Sequence, residues 1–258
     1  MKTRTKLTIL GCGSSVGLPR IDGSWGKCNK KNKKNIRTRC SAIIKTGSNS
    51  ILIDTSPDIK QQFLSNNIKD ITSVVYTHEH ADQTNGLFEL RPFFWKNRKK
   101  INIYGNLKTI SELKLKNDYL FKKINGYTPI VKANIIKKNF SLGSLNEKIF
   151  FKTLNVKHGR IKSVAYIFKK TAYISDSNDL SIVNTKILYN LNYLILDCLR
   201  IDKHSTHFNL SEAIYIFDKL KPKKMILTNL NHELDYDFLL RNLPKNVLPA
   251  YDGLVINL

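Results

Sequence analysis

A chain of 258 residues with 41% hydrophobic and 10% aromatic residues has the composition of an ordinary globular protein and the length to bury a large core. No apolar run reaches the roughly 18 residues of a membrane-crossing helix. The four cysteines, Cys12, Cys28, Cys40 and Cys198, form no Cys-x-x-Cys pair and fit free thiols better than a disulfide framework. The net charge of +23 admits anionic partners. Lysine greatly outnumbers arginine, however, and Lys30-Lys31, Lys33-Lys34, Lys99-Lys100 and Lys223-Lys224 are dispersed. Generic basicity is therefore favoured over a dedicated nucleic-acid surface.

The basic start, Met1 to Leu10, carries an apolar stretch too short for a signal peptide, and Gly11-Cys12-Gly13 breaks it. The reading is a cytoplasmic protein. Thr5 to Leu10 predicts a strand, followed by a glycine- and serine-rich loop to Pro19 that lacks the Gly-Lys-Ser/Thr of a phosphate-binding loop. That loop is either a plain turn or a backbone wall close to a ligand. Residues 20–39, with Trp25, Gly26 and Cys28, are expected as a lysine-rich surface excursion. Cys40 to Lys45 and Ser50 to Asp54 predict a hairpin across Thr46-Gly47-Ser48-Asn49. Ser56 is the expected cap and Pro57 the first residue of a helix running to about Asn66.

Val74 to Thr77, β-branched and aromatic, predicts a buried strand. Ile101 to Tyr104 predicts another, 106–124 a mostly helical stretch, and 127–157 strands separated by polar turns. Ser163 to Phe168 and Thr171 to Ile174 predict a hairpin through Lys169-Lys170. Tyr193 to Leu196 and Lys224 to Thr228 are further strands. Asn209-Leu210-Ser211-Glu212 predicts a capping box opening a helix that stops before Pro222, and Asp235 a last helix before Pro244. The strand-rich rhythm of the first half recurs in the second without a linker. This argues for one domain, 1–258, of the α/β class, with two sheets and outer helices.

The chemistry collects at strand ends. After Val74 to Thr77 come His78-Glu79-His80-Ala81-Asp82. Alternate residues in extended chain share a face, so His78, His80 and Asp82 can turn inward together. Two imidazoles and a carboxylate suit zinc or manganese. The plain alternative is two surface histidines on a polar loop; the buried strand in front, Asp82 and Gly86 weigh against it. His158, Asp176, Asp197 and Asn229 also follow apolar strands. A lone His158 is more often a solvated loop residue, but several such ends suggest a shared rim where sheets meet.

These residues resemble the metallo-β-lactamase superfamily: the loop after the first strand, His78-x-His80-x-Asp82, Gly86-Leu87, His158 and Ser175-Asp176. Cys40-Ser41, Gly86 to Arg91, Thr206-His207-Phe208, Ile226 to Thr228 and Tyr251-Asp252-Gly253 are similar to the phosphodiesterase branch of the carbon–phosphorus lyase pathway, which includes enzymes acting on a ribosyl 1,2-cyclic phosphate. The resemblance implies a four-layer αβ/βα sandwich of two mixed β-sheets flanked by helices, with metal at one edge. By position it implies a first metal site of His78, His80, His158 and Asp176. The family's second site takes Asp82, the next residue, the shared Asp176 and a late histidine. Here Gln83 and Asn229 stand at two of those positions, and neutral amides are poor zinc ligands. One tight ion per chain is therefore expected rather than two. The relatives' structural zinc near Trp25-Gly26 needs clustered cysteines, and only Cys28 lies there. His207 matches a family position near the substrate phosphate; His204 reads as solvated, and His232 is unassigned or a displaced late ligand.

The implied activity is metal-dependent hydrolysis of a small or cyclic phosphodiester, ribosyl or nucleotide-like. Asp82 would orient the water or accept its proton, and His207 would protonate the leaving oxygen or pair with the phosphate. The alternatives are an RNA-processing nuclease of the same superfamily and a catalytically weak domain that binds metal and ligand. The expected partner is a small anionic phosphodiester, with nucleic acid less favoured and no membrane; a homodimer is the alternative to a monomer.

Overall fold

The computed structural model describes residues 4–144, 147–181 and 184–258. Two seven-stranded mixed sheets face each other. The first comprises β1 (Thr5–Gly11), β2 (Ser41–Thr46), β3 (Asn49–Ile53), β4 (Ser73–Val75), β5 (Ile101–Gly105), β6 (Val131–Ile135) and β14 (Leu254–Asn257), in the order β14-β1-β2-β3-β4-β5-β6. The second comprises β7 (Asn139–Leu142), β8 (Ile149–His158), β9 (Ile161–Phe168), β10 (Thr171–Ile174), β11 (Tyr193–Asp197), β12 (Lys224–Thr228) and β13 (Val247–Pro249), in the order β13-β12-β11-β10-β9-β8-β7. Strands β3 to β6 run parallel, as do β10 to β13. The carboxyl ends of both parallel sets therefore form an edge where side chains converge.

The strand sequences explain the layering. Side chains alternate across a sheet, and here both faces are covered, so the strands read as apolar runs rather than alternating ones. In β3, Ile51 and Ile53 enter the core between the sheets, while Leu52 faces the helices outside. In β11, Ile195 faces the central core, and Leu194 and Leu196 face outward. Helices α1 (Ile59–Ser65), α2 (Ala81–Thr84), α3 (Arg91–Asn97), α4 (Leu107–Lys116) and α5 (Asp118–Phe121) lie in the connections of the first sheet. Helices α6 (Leu210–Leu220) and α7 (Tyr236–Asn242) belong to the second. Together they make the expected four-layer αβ/βα sandwich.

The capping box of α6 forms as expected, with Asn209 accepting from the Glu212 amide and Glu212 accepting from the Asn209 amide. The Lys169-Lys170 turn has φ of 46° and 55°, a left-handed pair matching a tight hairpin. Other expectations need correction. Helix α1 begins at Ile59, because the Ser56 hydroxyl accepts from the Asp58 amide and spends those residues on a turn. The excursion 20–39 is not wholly superficial: Arg37 is 1% exposed and donates to the carbonyls of Asn231 and Leu234 and to Asn35. Helices α2 and α3 and strands β13 and β14 were not expected. Among the described residues no helix is long and apolar enough to cross a membrane.

Candidate metal centre

The centre sits where the two sheets meet. After β4, the Tyr76 carbonyl accepts from the Tyr166 hydroxyl (2.6 Å) and the Thr77 carbonyl from the Val164 amide (2.9 Å), both on β9. These bonds fix the histidine loop against the opposite sheet. Three strands end in a left-handed residue: Asp54 after β3, Asp176 after β10 and Asn229 after β12, with φ of 61°, 52° and 66°. Asp and Asn tolerate this conformation better than most residues. It turns each chain sharply at the sheet edge.

His78 is fully buried. Thr77 donates its amide and its hydroxyl to the two Asp54 oxygens, each at 2.8 Å. The Thr77 oxygen therefore accepts from His78 Nδ1–H at 3.0 Å, which leaves Nε2 as the bare nitrogen. That Nε2 is buried without a hydrogen-bond partner. His158 donates from Nδ1 to the Thr206 carbonyl at 2.7 Å, and its Nε2 lies 3.4 Å from His80 Nδ1. The three ring centroids stand 4.5 to 5.1 Å apart. Burial lowers His78 to about 4 and also lowers His80, so both are neutral imidazoles at physiological pH. Converging lone pairs without protons between them suit a cation. His78, His80 and His158 form one group able to hold a metal ion, and His158, Asp176 and His207 another.

Asp176 lies beside them, 2% exposed. Burial works against its charge, but the imidazoles of His78, His207 and His158 hold it below the usual carboxylate range. Asp82, in the first turn of α2, is pushed up to about 6 by burial and by the Asp176 charge. Gln83 Nε2 donates to Asp82 and to Asp176 Oδ2, each at 3.2 Å. Asn229 Nδ2 donates to Asp176 Oδ1 at 3.2 Å, and Cys40 Sγ lies 3.4 Å from Asn229 Oδ1. Both Asp176 oxygens thus already accept from amides. His207 Nδ1 donates to Asp197 Oδ2 at 2.8 Å. Burial opposes its charge, yet the carboxylates of Asp197, Asp176 and Asp82 outweigh this and lift His207 to about 9.

A cavity of about 790 Å³ opens over these groups, lined by His80, Asp82, His158, Asp176 and His207. Lys157 and Arg160 stand at its rim, and His204 lines it too, its ring 5.2 Å from that of His207. His232 is elsewhere: it packs under Gly26, and its carbonyl accepts from the Lys27 amide. The sequence reading missed Asp54, Thr77 and the role of Asp197. Asp54 acts on His78 through Thr77 and Asp197 bonds His207 directly, relations that leave no spacing signature; Asp197 alone was visible as a polar strand end.

A four-layer sandwich with a cluster of histidines and carboxylates at its strand ends defines a metallo-β-lactamase-fold protein. The chain belongs to the beta-lactamase superfamily, whose domain model matches residues 49–229. Within it the chain falls in the PhnP-like branch. The crystal structure of a diphosphatase from the PhnP family is 31% identical with a TM-score of 0.91, covering 100% of this chain and 98% of that one. Zinc-bound PqqB from Methylobacterium extorquens shares the fold at 16% identity, with a TM-score of 0.78, over 98% of this chain and 100% of that one. A protein of Porphyromonas gingivalis (strain ATCC BAA-308 / W83) named octanoyltransferase is 29% identical over 253 residues, 95% of this chain. The chain spans only 50% of that relative's length.

Proposed function

We propose that the protein is a metal-dependent hydrolase of a small phosphodiester. The observation that carries this reading is the bare, buried Nε2 of His78 facing the imidazole rings of His80 and His158, with Asp176 beside them. Such an orphaned acceptor costs free energy unless a cation takes it. His78, His80, His158 and Asp176 would hold that ion, zinc or manganese. When bound, it supplies Lewis acidity toward water and a phosphoryl oxygen.

The chain's own residues divide the proton work. Asp82 accepts the proton of the attacking water, since a carboxylate titrating near 6 is ionised yet basic at neutral pH. His207, held through Nδ1 by Asp197, turns its other nitrogen to the cavity and donates a proton to the leaving oxygen. Lys157 and Arg160 attract the anion. Asp197 is a positioning residue: it fixes the ring of His207 and supports its charge.

The amides of Gln83 and Asn229 support one tight ion per chain. Each turns its N–H toward Asp176 and offers a second zinc ion only a neutral amide, a poor ligand beside imidazole. The net charge of +23 keeps a polynucleotide substrate in view. The test is elemental analysis of the purified protein, followed by a panel of small phosphodiesters with zinc and with manganese. His80→Ala and His158→Ala should each lose the metal and nearly all turnover while the fold survives. Full metal content in both variants would overturn the ligand assignment.

A further inference from the structure

A second concavity of about 710 Å³ lies along the same sheet edge and is not used by the reaction just described. Its walls follow from the parallel order β4-β5-β6. The histidine loop leaves the end of β4, Asn106 and Leu107 follow β5, and Ile136 to Lys138 follow β6. The facing wall is the β8–β9 hairpin, with Asn155 and Lys162. The Thr153 amide donates to the Lys138 carbonyl at 2.9 Å and pins the crossover between the sheets against β8.

The hairpin joins the groove to the metal cavity. Lys157 and Lys162 are cross-strand partners, so their side chains leave one face together. Lys157 lines the metal cavity and Lys162 the groove. Neighbouring strands are about 4.8 Å apart, so the step from the end of β4 to that of β6 is roughly 10 Å, about the reach of one nucleotide.

The lining is chemically one-sided. Lys137, Lys138 and Lys162 reach it, and no carboxylate does. Among the described residues none of these lysines forms an ion pair. Leu107 and Ile135, 68% and 49% exposed, add an apolar wall. Unpaired cations beside an exposed apolar surface and the Asn155 carboxamide match a phosphate attached to a flat, hydrogen-bonding body.

We propose that this groove binds the non-reacting arm of the substrate, a nucleoside-like body carrying a second phosphate. The proposal rests on the phosphodiesterase reading for the chemistry at the metal, but the groove itself is tested by binding. A substrate would lie with its scissile phosphate at the histidines and its second phosphate among Lys137, Lys138 and Lys162. Leu107 and Ile135 would cover the base.

The experiment titrates the zinc-loaded protein calorimetrically with thymidine 5′-monophosphate and with thymidine 3′,5′-bisphosphate. The bisphosphate should bind about tenfold tighter, as expected for a few exposed charge-assisted contacts. In Lys137→Gln/Lys138→Gln/Lys162→Gln that ratio should fall close to one. In Lys221→Gln/Lys223→Gln/Lys224→Gln, which removes the same charge at the opposite edge, the ratio should persist. A hexathymidylate arm separates the sources of the phosphate: further tightening through the same lysines marks a polynucleotide, and none marks a small molecule, both placing it in the groove. Equal binding of the two nucleotides, or an equal loss in the remote variant, would overturn the proposal. Failure of the phosphodiesterase reading shows separately, as absent hydrolysis across the diester panel while the bisphosphate preference remains.

Discussion

At the scale of single residues, much of the centre was legible because metal ligation needs particular side chains at fixed offsets. His78, His80 and Asp82 follow one strand at alternate positions, and the structure brings them together with His158 and Asp176. The supporting residues were not legible. Asp54 acts on His78 through Thr77, and Asp197 acts on His207, and neither relation is local in sequence. His204, read as solvated, stands at the open cavity beside His207. General-acid help is worth roughly 10²–10⁴ in rate, so His207→Ala should lower kcat in that range with metal content intact. The loss should shrink on a p-nitrophenyl diester, whose leaving group hardly needs a proton. An equal loss on activated and unactivated substrates would instead assign His207 to phosphate binding. Asp197→Asn should follow the same pattern more weakly, because it loosens the ring without removing it. For the metal, Gln83→His with Asn229→His should raise zinc stoichiometry toward two after dialysis against a weak chelator. Two tight zinc ions in the unmodified protein would refute the reading of the amides.

At the scale of elements, the strands were the easiest to read. Sheets covered on both faces give unbroken apolar runs such as Ile51-Leu52-Ile53 and Leu194-Ile195-Leu196, and these carry their own signal. Helices α2 and α3 are short, and α2 begins inside the histidine loop, so tertiary placement rather than helical periodicity defines them. Strand β13 has three residues and contains Pro249, a residue confined to sheet edges, where β13 indeed lies. The turn before α1 hid a clamp. Asp58 accepts from the Arg39 amide, from Nε at 2.8 Å and from the second guanidinium arm at 2.6 Å, which ties the approach to β2 to the start of α1. Burial works against the Asp58 charge, but Arg39 overcomes it and holds the carboxyl below its ordinary range. A depressed folded value contributes stability above the ordinary pKa of about 4, and that contribution is lost as pH falls through the folded value. Asp58→Asn should therefore cost about 1–2 kcal/mol at pH 7, allowing for the partial exposure of Arg39. The gap to the parent protein should close as the pH is lowered past 4 toward 3. A gap that stays constant with pH would trace the loss to packing rather than to the ion pair.

At the scale of the whole molecule, the candidate centre draws on both halves. His78, His80 and Asp82 come from the first sheet's connections, whereas His158, at the end of β8, and Asp176 and His207, in the connections, come from the second sheet. The central core also takes residues from both, with Ile44 and Ile53 on one side and Phe151, Tyr166 and Ile195 on the other. Neither sheet can bury its inner face alone, so residues 1–258 should unfold as one cooperative domain. A cation held by ligands from both sheets binds only the assembled state and stabilises it by mass action. At a free concentration about 100 times Kd the gain is about 2.7 kcal/mol. For a chain of this length that corresponds to a Tm increase of about 5–10 °C. Scanning calorimetry with zinc buffered across its Kd should show a single transition that moves upward as a whole. His158→Ala, which removes a ligand from the second half only, should abolish most of the shift. Two resolved transitions, with zinc raising just one of them, would show that the halves melt independently and that the centre does not bind them together.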